Sequence, residues 1–101
     1  MIWLPVDGRM ISSFRSRVLR RFWERNDPSK LPPGRIGRIA MILDRLDGAT
    51  KPEDLNLPGL EFHRLAGTSK GRFTVSVSGN WRITFGWQDL DASDVDFEDY
   101  H

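Results

Sequence analysis

The 101-residue sequence predicts an α+β fold in which a helical pair lies on one face of an antiparallel sheet. Three observations carry that prediction. Phe73, Val75 and Val77 alternate with polar residues, and after Ser78-Gly79-Asn80 the alternation resumes with Trp81, Ile83, Phe85 and Trp87, a β-hairpin pattern. Two earlier stretches instead place apolar residues at helical spacing: Val18, Leu19, Phe22 and Trp23, then Ile36, Ile39, Leu43 and Leu46. The strand candidates are consecutive and their links short, so they pair antiparallel.

Residues 1–9 precede a second methionine, and Pro5 and Gly8 break any regular element. They are expected to be a flexible N-terminal extension to a single domain over residues 10–101. Ile11 to Phe14 suits a brief edge strand. Ser16 then caps a helix running to about Asn26, followed by the turn Asn26-Asp27-Pro28-Ser29 and a second break at Leu31-Pro32-Pro33-Gly34. The second helix runs from about Pro33 or Gly34 to Leu46; Ala40 and Ile42 widen its stripe and Gly48 closes it. The two short helices should form an antiparallel hairpin. Pro52 to Leu55 fits one helical turn, with Pro in the first turn and Glu53 and Asp54 suited to a helix N-terminus. Glu61 to Leu65 is the next strand, Gly67 to Gly71 a break, and Ser93 to Tyr100 a last strand with Val95 and Phe97 facing in.

This length buries one modest core. No run approaches the apolar length of a membrane span, and Met1 to Met10 lacks the pattern of a signal peptide. Cysteine is absent, so thiol catalysis and zinc–thiolate sites are excluded, and a cytoplasmic location fits best. Sequence motifs of phosphate-loop NTPases, dinucleotide enzymes, zincins and serine hydrolases are also absent. His63 and His101 are the only side chains that titrate near neutrality when unperturbed.

The net charge of +1 conceals a strong asymmetry. Between Arg9 and Arg45, ten basic side chains face three acidic ones, whereas the last sixteen residues carry Asp89, Asp91, Asp94, Asp96, Glu98 and Asp99 with no Lys or Arg. Such a dipole fits a basic surface for nucleic acid, or a basic helix lying against an acidic strand.

Period-two alternation also gathers Arg72, Thr74, Ser76, Arg82 and Thr84 on the sheet face opposite the apolar set. A polar face with two arginines suits phosphate. Histidine, arginine and tyrosine without metal ligands match the needs of a metal-independent ribonuclease: a base for the 2′-hydroxyl, cations for the phosphorane, an acid for the leaving 5′-oxygen. His63 and His101 could be base and acid, Arg82 and Arg72 could hold the non-bridging oxygens, and Asp99 could orient a histidine. The structural alternative is a strand histidine that only packs and a terminal one in solvent. Asp94, Asp96 and Glu98 alternate along the last strand, but no second donor cluster accompanies them. They read as solvent or partner contacts, with no cofactor or metal expected.

With these residues assembled, the sequence resembles the HigB branch of the RelE/ParE toxin superfamily. The resemblance runs through Met10-Ile11-Ser12-Ser13-Phe14, Leu55-Asn56-Leu57-Pro58-Gly59, Phe62-His63-Arg64-Leu65, Gly79-Asn80-Trp81-Arg82-Ile83-Thr84-Phe85 and Glu98-Asp99-Tyr100-His101. It implies a RelE/ParE-like compact fold, two helices on a twisted antiparallel sheet, and cleavage of messenger RNA in the ribosomal A site. It also implies neutralisation by a HigA-type helix-turn-helix antitoxin, through which operator DNA becomes a partner. His63, Arg82, Asp99, Tyr100 and His101 match residues tied to cleavage in that family. One departure is Ala66, where family members commonly carry Lys; Arg64, Lys70 or Arg72 would have to compensate. Arg17, Arg20 and Arg21 on the first helix are expected to contact ribosomal RNA. Tyr100 either stacks on an unpaired base or covers the core. ParE-type relatives share the fold but bind DNA gyrase, so a non-nuclease toxin, or a degenerate one that only binds its antitoxin, is the competing reading.

Overall fold

The computed structural model describes residues 11–99; the extension over residues 1–9 and the terminal Tyr100 and His101 lie outside the described residues. Helix α1 spans Arg17–Arg25. Its N-cap is Ser16, whose Oγ accepts the Leu19 amide at 3.1 Å, and Asn26 closes it in the left-handed region at φ 54°. Both ends therefore use short polar side chains that satisfy or tolerate what a helix terminus leaves open. Leu19 is fully buried; Val18, Phe22 and Trp23 pack on the core from its edge.

Helix α2 spans Ile36–Gly48 and buries Ile39, Ile42, Leu43 and Leu46. It begins two or three residues later than the sequence suggested. A turn closed by the Arg35 amide on the Pro32 carbonyl, with Gly34 at φ 83°, must finish before helical dihedrals can start. A 3-10 turn at Pro52–Leu55 follows where expected and buries Leu55. Among the described residues, no helix is long and apolar enough to cross a membrane.

The sheet has four antiparallel strands in the order β1 His63–Arg64, β2 Arg72–Ser78, β3 Trp81–Gln88, β4 Asp91–Asp99. Two-residue links, Gly79-Asn80 and Asp89-Leu90, join β2 to β3 and β3 to β4. The expected edge strand at Ile11 to Phe14 is reduced to one parallel bridge, Phe14 with Val95. Amide–carbonyl bonds from Ser12 to Ala92, from Arg15 and Ser16 to Val95, and from Val95 to Ser13 hold it and the residues that follow it. Strand β1 is also shorter than expected. Glu61 sits at φ 51°, outside strand geometry, although Leu60 still gives its carbonyl to the Ser76 amide at 2.7 Å.

Phe73, Val75, Val77, Ile83, Phe85 and Val95 form the sheet side of the core, with Phe73 and Phe85 stacked at 5.6 Å. Asp94 interrupts β4 at φ 47°, where the β3–β4 register shifts between Thr84 and Gly86. This bulge lets the residues on either side return to both faces of the sheet.

Arg38, counted in the sequence only as part of the basic stretch, ties α2 to the sheet. Its Nη2 donates to the Gly59 carbonyl at 2.6 Å and the Ser76 carbonyl at 3.1 Å, and its Nε to the latter at 3.3 Å. Arg38→Ala is expected to cost about 1–3 kcal/mol, as charge-assisted bonds to partly buried carbonyls are lost. Urea unfolding should show a lower midpoint at unchanged slope.

Candidate active site

The register places the polar residues in rows across the sheet. His63 pairs with Thr74, Thr74 with Thr84 and Thr84 with Asp96; in the next row Ser76 pairs with Arg82 and Arg82 with Glu98. Residues directly opposed in an antiparallel pair share a face, so His63, Arg82 and Glu98 stand on one side of the sheet, opposite the apolar core. Two strand spacings and one two-residue step separate the His63 and Arg82 backbones, roughly 12 Å, a span that two long side chains can close around one phosphate.

The face is not the open polar surface that alternation alone suggests. Thr74 and Thr84 are 0% exposed and Ser76 6%, so the hydroxyls form a buried floor while Arg72 and Arg82 are half-buried around it. Arg72 lies across the floor. Its Nη2 donates to Thr84 Oγ1 at 3.0 Å and to the Asp94 carbonyl at 2.8 Å. Gly86 lies beside it: a Cβ there would press on Ser93 Oγ at 3.1 Å but meet Arg72 Nη1 only at an ordinary contact distance of 3.7 Å. Burial is the main reason the Arg72 pKa falls below the ordinary guanidinium value, with the Arg15 charge acting the same way and Glu98, Asp96 and Asp94 opposing it. It remains a cation at any physiological pH.

Arg82 is the unsatisfied group of the face. Among the described residues its buried Nη1 has no hydrogen-bond partner, and neither has the buried Thr74 Oγ1. Buried donors without acceptors are costly, and a guanidinium most of all, so this position is poised for an anionic oxygen. His63 is exposed, with Nδ1 3.0 Å from the Glu61 carbonyl. A carbonyl only accepts, so the contact places a proton on Nδ1; in the neutral ring the lone pair is then on Nε2, the tautomer a general base needs.

The other site residues fall elsewhere. Asp99 pairs with Trp81, which assigns it to the opposite side of the sheet from Arg82. It lines a cleft of about 360 Å³ with Pro32, Arg35, Gly79, Asn80 and Trp81. Arg64 alternates away from His63: it pairs with Glu53 at 3.0 Å and lies over the Phe73 ring at 5.3 Å. Ala66 and Lys70, both exposed, flank the 3-10 turn Gly67–Ser69 at the β1–β2 link. Tyr100 and His101 lie outside the described residues.

Arg17, Arg20, Arg21 and Arg25 are exposed, and with Glu24 they line a shallow cavity of about 280 Å³ on the outer surface of α1. Arg21 reaches Asp27 at 3.9 Å, in the turn after its own helix rather than on β4. Hydrogen bonds from Ser29 are the main cause of the lowered Asp27 pKa; Arg21 adds to it. Of the two sources considered for the charge asymmetry, an outward basic surface is therefore the one α1 presents. The acidic strand is used differently. Glu98 is half-buried, and its Oε2 accepts the Thr84 hydroxyl at 2.5 Å. Thr84 and Glu98 were within reach of the alternation pattern, but only the tertiary structure shows that their side chains meet.

Residues 12–101 match the family described as the RelE-like toxin of type II toxin–antitoxin system HigB. The chain is 36% identical over 92 residues to Endoribonuclease HigB of Proteus vulgaris, covering 91% of this chain and 100% of that protein. It is 32% identical over 82 residues to Toxin HigB-1 of Vibrio cholerae serotype O1, covering 79% of this chain and 86% of that protein. The two α-helices and four-strand antiparallel sheet of the described residues, together with these matches, lead to one conclusion: the chain belongs to the HigB family of RelE-like toxins of type II toxin–antitoxin systems.

Proposed function

We propose that this toxin is a metal-independent endoribonuclease that cuts messenger RNA in the ribosomal A site and so inhibits translation. The observation that carries the reading is the buried Arg82 Nη1, unpartnered among the described residues, on the same sheet face as His63. An Endoribonuclease HigB among the relatives supports it. In this reading Arg82, with Arg72 beside it, binds the non-bridging oxygens. His63 Nε2 and His101 share proton removal from the 2′-hydroxyl and proton delivery to the 5′-oxygen. Tyr100 stacks on a neighbouring base. Asp99, on the far side of the sheet, acts as a positioning residue for the strand end that Tyr100 and His101 follow.

A toxin of this family has an antitoxin as its partner. A HigA-type helix-turn-helix protein fits that place, and it would carry the pair to operator DNA. The toxin would act in the cytoplasm, where ribosomes are.

Primer extension on a messenger RNA incubated with purified protein, with and without programmed ribosomes, tests the reading. Cuts that need ribosomes and vanish in His63→Ala and His101→Ala support it. Folded, toxic protein that leaves the message intact in both conditions overturns it and turns attention to gyrase inhibition.

Two further results are expected from the same assay. Ala66→Lys should raise cleavage several-fold, because a cation at the β1–β2 link adds charge-assisted phosphate binding that Ala cannot supply; unchanged cleavage would show that the existing arginines already suffice. Arg17, Arg20 and Arg21 changed together to Glu should weaken ribosome binding at least tenfold and flatten its salt dependence, with circular dichroism unaltered. Binding indifferent to these charges removes α1 from the contact surface.

A further inference from the structure

Arg82 and Glu98 are direct neighbours across the β3–β4 pair, on the same face of the sheet. Side chains so opposed have Cβ atoms about 5 Å apart, and an arginine and a glutamate at that separation ordinarily form a bidentate ion pair. Among the described residues no Arg82–Glu98 ion pair is formed. The Glu98 carboxylate turns along its own face to Thr84, two residues beyond Arg82, whose hydroxyl it accepts at 2.5 Å.

The direction of that bond is dictated by Arg72. A guanidinium has no acceptor, so the 3.0 Å contact between Arg72 Nη2 and Thr84 Oγ1 uses a lone pair of the hydroxyl and leaves its single proton for Glu98. Arg72 is itself fixed by its second bond, to the Asp94 carbonyl at 2.8 Å. Thr84 is fully buried, so no water competes for the hydroxyl. The outcome is a chain from Arg72 through Thr84 to Glu98 that ends one residue pair away from an arginine with a buried, unused donor.

We propose that Arg72 and Thr84 restrain Glu98, holding its carboxylate off Arg82 so that the guanidinium stays un-neutralised for the scissile phosphate. Thr84 and Glu98 are then positioning residues for cleavage. The inference rests on the reading that Arg82 binds phosphate. Its physical basis is competition: a half-buried carboxylate that loses its hydroxyl donor turns to a cation, Arg82 stands directly opposite it in the register, and an arginine already paired with a carboxylate is a poor partner for a second anion.

The test is Thr84→Val, which keeps the shape and removes the donor, alone and combined with Glu98→Gln. Arg82 Nε–H resonances in ¹⁵N-labelled protein are followed without substrate, and single-turnover cleavage is measured in parallel. Thr84→Val should shift the Arg82 signal to that of an ion-paired guanidinium and lower cleavage at least tenfold. The double variant should return both, because an amide does not neutralise Arg82. An Arg82 signal indifferent to Thr84→Val overturns the inference, as does a cleavage loss that Glu98→Gln does not relieve. Arg82→Ala, run beside them, isolates the underlying reading. If that variant cuts as well as wild type, phosphate binding by Arg82 is wrong, whatever the Thr84 variants do to the spectrum.

Discussion

Replacing Arg82 with alanine is expected to lower the single-turnover cleavage rate by about 10²–10³-fold, the usual consequence of removing one preorganised donor to a developing oxyanion. The size follows from where the side chain sits. Arg82 is half-buried on a floor of hydroxyls that are 0–6% exposed, so its charge acts where water screens it least. Arg82→Lys should recover only part of the loss, since an ammonium offers a point charge in place of a planar fork. The loss should appear in the chemical step, and the variants should keep the native circular dichroism spectrum. Cleavage by Arg82→Ala within threefold of wild type would place the phosphate elsewhere, with Arg72 the next cation on the face.

The largest effect on stability is expected at Phe85. It is fully buried at the centre of the sheet, opposite Phe73, whose ring stacks on it at 5.6 Å and in turn meets Phe62 at 5.8 Å. Phe85→Ala removes that ring and leaves a cavity bounded by strands that cannot close on it. The cost is about 3–5 kcal/mol, against a total stability of about 5–15 kcal/mol for a domain of this size. The melting temperature should fall by roughly 15 °C or more. Phe85→Leu fills most of the space and should cost much less. A melting point that moves only a few degrees in Phe85→Ala would show that helices and sheet repack around the gap.

The two substitutions act on opposite faces of one strand, only three residues apart. That separation is legible in the sequence: period-two alternation alone assigns Phe85 to the core and Arg82 to the polar side. Ser16 and Asn26 as the ends of α1, and the helical turn at Pro52–Leu55, were equally legible, because caps and first-turn prolines act through bonds within a few residues. The edge strand at Ile11 to Phe14 and the length of β1 were not. Each depends on a partner more than ten positions away, Val95 for Phe14 and Thr74 for His63, and a single left-handed residue such as Glu61 is enough to end a strand.

The same division runs through the site. Residue types and spacing determined which groups are present, a histidine and two arginines on successive strands with no thiol to compete with them. Tertiary structure decided what each can do. The register moved Asp99 and Arg64 off the His63–Arg82 face, although both neighbour its residues in sequence. It also brought Glu98 from an acidic run that looked solvent-facing onto the Thr84 hydroxyl. Local periodicity carries the face a side chain takes, but the identity of its cross-strand neighbour depends on turn length and on the bulge at Asp94, which are settled only when the strands close on one another.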